Sequence, residues 1–117
     1  LSEDGWRPAL EVPGSKLVHY LLNVDHPKGG PKARFFLAFG FDPAQPEVMA
    51  EALIVQATDA RCILYPAEHG PYRRMIVEGP METPDGRLPR VRSVWQLQDG
   101  SMWRLVTAVP LTGRNGR

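Results

Sequence analysis

Val91-Arg92-Ser93-Val94-Trp95-Gln96-Leu97-Gln98-Asp99-Gly100-Ser101-Met102-Trp103-Arg104-Leu105-Val106-Thr107-Ala108, VRSVWQLQDGSMWRLVTA, holds two alternating apolar runs separated by Asp-Gly. Alternation with a period of two is the mark of half-buried strands, and Asp-Gly between them is the strongest short hairpin signal. A two-residue turn at Asp99-Gly100 sets Gln98 against Ser101 and Arg92 directly opposite Thr107. One face then carries Arg92, Val94 and Gln96 with Trp103, Leu105 and Thr107. The other carries Val91, Ser93, Trp95 and Leu97 with Met102, Arg104, Val106 and Ala108, and this more apolar face is expected to lie on the helices. Trp95 would then pack against Arg104 as a cation–π pair.

Working back toward the N-terminus, the same period recurs in RCILYPA from Arg61 and YRRMIVEG from Tyr72, with turns at Glu68-His69-Gly70-Pro71 and Thr83-Pro84-Asp85-Gly86. Before Arg61 the period is helical. Ser15 is a candidate cap for a short helix burying Leu17, Val18, Leu21 and Leu22, with His19 and Tyr20 on its flanks. Pro31 suits the first turn of a second helix, PKARFFLAFGF, with Phe35, Phe36, Leu37 and Phe39 in the core; Gly40 and Asp42-Pro43 stop it. Pro46-Glu47 opens a third, with Val48, Ala52, Leu53 and Val55 as its buried stripe. The expected fold is α+β: N-terminal helices followed by a four-stranded antiparallel meander in two layers, with the second sheet face open.

A chain of 117 residues with 43% hydrophobic and 23% charged side chains is in the range of one globular domain. The division read from the sequence is a lead-in over 1–12 with Trp6 as an anchor, one domain over 13–112, and a basic tail over 113–117. No apolar run nears the roughly 20 residues that span a bilayer, so no membrane insertion is expected. Cys62 is alone among apolar neighbours, and reads as a small core residue. The chain starts at Leu1, which suggests a piece cut from a longer polypeptide.

Charge is uneven although the net is +1: residues 1–60 hold 5 basic and 8 acidic side chains, while 61–117 hold 9 arginines, no lysine and 5 acids. That bias suits a phosphate-bearing ligand. KGGPK is not a P-loop, because the Gly-Lys-Ser/Thr ending and the βαβ setting are missing. Histidines 19, 26 and 69 lack metal spacing, and no cofactor is called for.

The loop NVDHPKGGPKAR, residues 23–34, concentrates a histidine and three lysine or arginine side chains in twelve positions. Its His26 and Lys32, with Arg92 and Thr107 on the open sheet face, form the expected catalytic group; His69 and Tyr72 are further candidates. Lys28, Arg34, Ser93 and Gln96 are expected to bind substrate. These are the parts required to cleave RNA without a metal. A histidine can move the 2′-hydroxyl proton, cations offset the charge gained by the phosphorane, and a hydroxyl positions the phosphate. Local readings compete: a histidine before proline in a turn commonly bonds nearby backbone, and Arg92 with Thr107 could be an exposed cross-strand pair.

KLVHYLLNVDHPKGGPKARFF, VRSVWQL and WRLVTAVPL together resemble a bacterial toxin-type domain family whose pattern runs KL-x-x-YLLNPDHPKG-x-x-KAR, VRSAW and PRLVTAYP. The resemblance spans about residues 12 to 111. The pattern falls on His26, Lys32 and Ala33 in the loop, on Arg92, Ser93 and Trp95 in VRSVW and on Thr107 in LVTAVP, and the resemblance implies an architecture similar to the barnase, EndoU, colicin and RelE ribonucleases. This chain has Val109 where the family often has tyrosine. The resemblance further implies a ribonuclease toxin domain leaving a 2′,3′-cyclic phosphate, with RNA (tRNA among the candidates) as substrate and a cognate immunity or antitoxin protein as partner. Such a domain is delivered as part of a larger protein and acts in the bacterial cytoplasm. The alternatives are a non-catalytic protein-interaction domain, or a toxin acting on DNA or a nucleotide cofactor.

Overall fold

A computed structural model describes residues 9–98 and 101–111. The Asp99-Gly100 turn, Trp6 and the 113–117 tail lie outside the described residues. Strand β1 (Ala9–Glu11) is followed by helix α1, which winds as α-helix over Gly14–Lys16 and as π-helix over Leu17–Leu21. Helices α2 (Gly30–Ala38) and α3 (Pro46–Ala57) come next, and then β2 (Ile63–His69), β3 (Tyr72–Pro80), β4 (Arg90–Leu97) and β5 (Met102–Pro110).

The sheet has five strands in the order β1-β5-β4-β3-β2. Strands β2 to β5 form the expected antiparallel meander, but the sheet is mixed, because β1 joins β5 in parallel through Ala9↔Met102 to Glu11↔Arg104. Three residues inside the expected lead-in are therefore part of the sheet. Their composition, Ala-Leu-Glu, carries no strand pattern; pairing to an open edge decides it.

The register of the last hairpin also differs from expectation. Trp95 lies opposite Leu105 and Gln96 opposite Arg104, whereas Arg92 faces Val109 and Thr107 faces Val94, with a break in the ladder between Val94 and Trp95. Leu97↔Trp103 and the Gln98 N–H to Met102 carbonyl bond make the connection one residue longer than a two-residue turn. The core decides this. A one-residue slip turns Leu105 inward, 2% exposed, and leaves Arg104 in water, since burying an unpaired guanidinium is prohibitive. The extra residue at Val106 then makes a bulge that returns Ala108 to the core and Thr107 to the open side.

The core lies between the sheet and the helices: Leu17, Leu21 and Phe36 with Met49, Leu53, Val77, Val91, Trp95 and Leu105. Neither Ser15 nor any other side chain caps α1, whose N-terminus follows extended Pro13. In α3 the buried stripe is Met49, Ala52, Leu53 and Gln56, not the expected Val48 and Val55. Gln56 is buried because it has partners: its Nε2 donates to the carbonyls of Gly79 and Val91, and its Oε1 accepts the Ser93 hydroxyl, which accepts the Trp95 indole N–H. This chain of bonds fastens α3 to β3 and β4. Cys62 is half-buried beside the Pro80 carbonyl, and burial pushes its thiol up.

Candidate functional site

Pairing of β1 with β5 stops at Arg104, so the outer edge of β5 beyond that point is open to the helices. There the π turn of α1, closed by the Leu22 N–H to Leu17 carbonyl bond, buries Leu17 and Leu21 and sends Tyr20 toward Thr107. Lys32, in the first turn of α2, donates to the Tyr20 hydroxyl at 2.6 Å and to Thr107 Oγ1 at 3.2 Å; the two hydroxyls are 3.4 Å apart. Its ammonium also lies 5.0 Å from the centre of the Tyr20 ring. A lysine near a helix N-terminus is disfavoured by the macrodipole, and these two oxygens offset that cost.

Burial works to raise the Tyr20 phenol, but hydrogen bonds to Lys32 and Thr107 and the charges of Lys32 and Lys16 together hold it below the ordinary phenol value. The phenolate is thus easier to form here than in water.

His26 lies edge-on to the Tyr20 ring, with centroids 4.8 Å apart. Its Nδ1 accepts the backbone N–H groups of Lys28 at 3.0 Å and Gly29 at 2.9 Å. A nitrogen accepting two N–H bonds carries no proton, so the ring's hydrogen is on Nε2. His26 is therefore a donor at Nε2. Its basic lone pair is already occupied, which argues against the role of general base.

The two glycines of the loop are required by space rather than by phosphate. A Cβ on Gly29 would come within 2.6 Å of the Tyr20 ring and backbone, and one on Gly30 within 2.5 Å of the Val24 carbonyl. Only glycine lets the loop lie against Tyr20.

Tyr20, His26 and Thr107 line an open cleft of about 930 Å³, whose floor is the exposed sheet face at Arg74, Gln96 and Arg104 and whose near wall carries Lys16 and His19. Lys32 stands behind Tyr20 and Thr107 and acts through them. Gln96 is on the floor, where its Oε1 accepts from Arg74 Nε at 3.0 Å.

The remaining expected residues are elsewhere. Arg92 is two positions along the strand from where Thr107 pairs, and its Nε is bound to Glu78 at 2.6 Å. Ser93 is fully buried in the Gln56 network and cannot meet a substrate. Arg34 and Lys28 are exposed outside the cleft lining, and Lys28 enters the site only through its backbone N–H. The expected Trp95–Arg104 pair is absent, because the two side chains are on opposite faces of the sheet. Tyr20 is the residue that sequence reasoning passed over, though it opens the YLLN element of the family pattern.

Among the described residues, no group of three or more His, Cys, Asp or Glu side chains could hold a metal ion. No described helix is long and apolar enough to cross a membrane.

The fold is similar to that of one chain of a solved contact-dependent growth inhibition toxin–immunity protein complex from Klebsiella pneumoniae 342. The TM-score is 0.67 at 18% sequence identity, over 87% of this chain and 93% of that one. At that identity the likeness is one of fold. No curated protein matches the chain. The match that covers most of the sequence is to a family described as Domain of unknown function (DUF6883), over residues 8–112, and the chain belongs to that family.

Proposed function

We propose that this domain is a toxin-type endoribonuclease that cleaves RNA by attack of a 2′-hydroxyl on the adjacent phosphate, without a metal. The observation that carries the reading is the Tyr20 hydroxyl, 2.6 Å from the Lys32 ammonium and at the wall of a basic cleft. A phenol so placed can act as the general base. It takes the 2′-hydroxyl proton as phenolate, Lys32 stabilises that phenolate, and Thr107 fixes its position. The His26 Nε2–H donates to a non-bridging phosphate oxygen, while Lys16 and Arg104 add positive charge near the phosphorane. The departing 5′-oxygen takes its proton from water, which the open cleft admits.

The likeness in fold to a chain of a toxin–immunity complex fits a toxin-like or an immunity-like domain, and the Tyr20–Lys32 pair in a basic cleft favours the toxin. The likeness also fits a cognate partner protein and delivery within a larger secreted protein; RNA as the target and the cytoplasm of a target cell as the place of action belong to the proposal and rest on the chemistry of the cleft.

The test is incubation with total tRNA in EDTA, with fragment ends analysed for 2′,3′-cyclic phosphate. Cleavage is expected with or without chelator, and is lost in Tyr20→Phe. Intact tRNA across a wide range of enzyme concentration, chelated or not, would overturn the reading in favour of a non-catalytic interaction domain. Expression toxicity equal for wild type and Tyr20→Phe would point the same way.

A further inference from the structure

The cleft beside Tyr20 does not end at β5. Gln96, Gln98 and Arg104 also line a second concavity of about 630 Å³ that continues over the end of the sheet to Tyr72 and Arg73. Cross-strand pairing places Arg74 opposite Gln96 and Gln96 opposite Arg104, and alternation places Tyr72 on the same open face as Arg74. The two concavities are therefore one shallow groove running across the strands. From β5 to β3 it spans two strand spacings, about 10 Å.

Its chemistry is one-sided. Among the described lining residues the cations are Lys16, Arg73, Arg74 and Arg104, against the single acid Glu11. Glu11 lies 3.9 Å from Arg104 across a half-exposed pair, too weakly held to cancel the field. Tyr72 is 49% exposed, with no hydrogen-bond partner among the described residues, and stands at the far end of this basic track.

We propose that the second concavity is a nucleotide subsite. Tyr72 stacks the base of a nucleotide beyond the scissile phosphate, and Arg74 and Arg104, which flank Gln96 on the same open face, hold the phosphate that links it. The ligand this fits is an unpaired RNA strand. An exposed ring with basic side chains on an open sheet face receives splayed bases, which a duplex keeps stacked inside. This rests on the ribonuclease reading for the choice of RNA, and extends it to substrate shape.

The test uses 2′-fluoro RNA, in which the attacking hydroxyl is replaced and binding can be read without cleavage. A dinucleotide, a single-stranded octanucleotide and the matching duplex are compared by fluorescence anisotropy on the full chain. The octanucleotide binds about tenfold more tightly than the dinucleotide, the range set by one stacked base. Tyr72→Ala removes that gain and Tyr72→Phe keeps it. Because Tyr72 is half-exposed, thermal unfolding of both variants matches wild type.

An octanucleotide that binds no better than the dinucleotide, a gain that survives Tyr72→Ala, or a duplex that binds better than the single strand overturns the subsite. If tRNA is cleaved while affinity is independent of length, the subsite alone falls. If the octanucleotide gain depends on Tyr72 but no RNA is cleaved, the ribonuclease reading falls and the subsite stands.

Discussion

At the residue scale, the loop and the sheet edge meet in one phenol. Tyr20→Phe removes the proton-accepting oxygen while keeping the ring against His26, so kcat/KM for RNA should fall by about 10² to 10⁴, with only a small drop in Tm because Thr107 still accepts from Lys32. Lys32→Gln is the companion test. Lys32 is a positioning and tuning residue, and without its charge the Tyr20 phenol returns toward its ordinary value. The rising limb of the pH–rate profile should then move to higher pH, which a purely structural role for Lys32 would not produce. Gly29→Ala forces a methyl into the Tyr20 ring and carbonyl. It should cost both stability and activity, with a lower Tm and lower kcat/KM, although residue 29 contributes no side chain.

At the scale of elements, two polar groupings join strands and helix. Gln56→Leu leaves the buried Ser93 hydroxyl without its acceptor and the Gly79 and Val91 carbonyls without the amide donor. Urea unfolding should show a loss of about 1–3 kcal/mol, the cost of buried groups left unpaired. On the other face, Glu78 is held below the usual carboxylate range by hydrogen bonds from Arg92 and then Tyr65, linking β4 and β2 through β3. Its folded value is depressed, so its contribution is complete above the unfolded carboxylate value of roughly 4.3 and is lost as pH falls through the lower folded value. Glu78→Gln should therefore lower stability at neutral pH by up to about 1 kcal/mol, and the difference from wild type should vanish in acid. Urea titrations at neutral and acid pH check this.

At the scale of the whole molecule, β1 completes the sheet and sets where the cleft begins. It pairs with β5 only to Arg104, and Leu10 and Val12 pack on the core from that side. A chain starting at residue 12 loses this strand and should be less stable by about 1–2 kcal/mol, the value of a partly buried leucine. Its Tm should drop while the meander's circular dichroism remains. The same truncation removes Glu11, the one acid among the described residues that line the groove, so RNA affinity measured below the melting range should rise rather than fall.

Apolar periodicity together with the proline and glycine signals at element ends identified the helices over 30–38 and 46–57 and all four meander strands, because both are local properties of the chain. His26, Lys32 and Thr107 were also legible as a group, through residue chemistry and the family pattern. Their partner Tyr20 was not: on a helical wheel it sits at the flank of a core stripe, and only the π turn and the end of β1 bring it to Thr107. Arg92 was misplaced for a related reason, whereas Ser93 lies on the covered face where alternation put it and was given to substrate only through the family pattern. Asp-Gly specifies a turn but not whether a bulge follows, and the choice fell to which β5 side chains the core could bury, Leu105 and Ala108 rather than Arg104. Local sequence determined the helices over 30–38 and 46–57 and the meander strands; tertiary packing decided that residues 9–11 are a strand and which face each side chain occupies, because that depends on pairing and on burial free energy summed across strands distant in the chain.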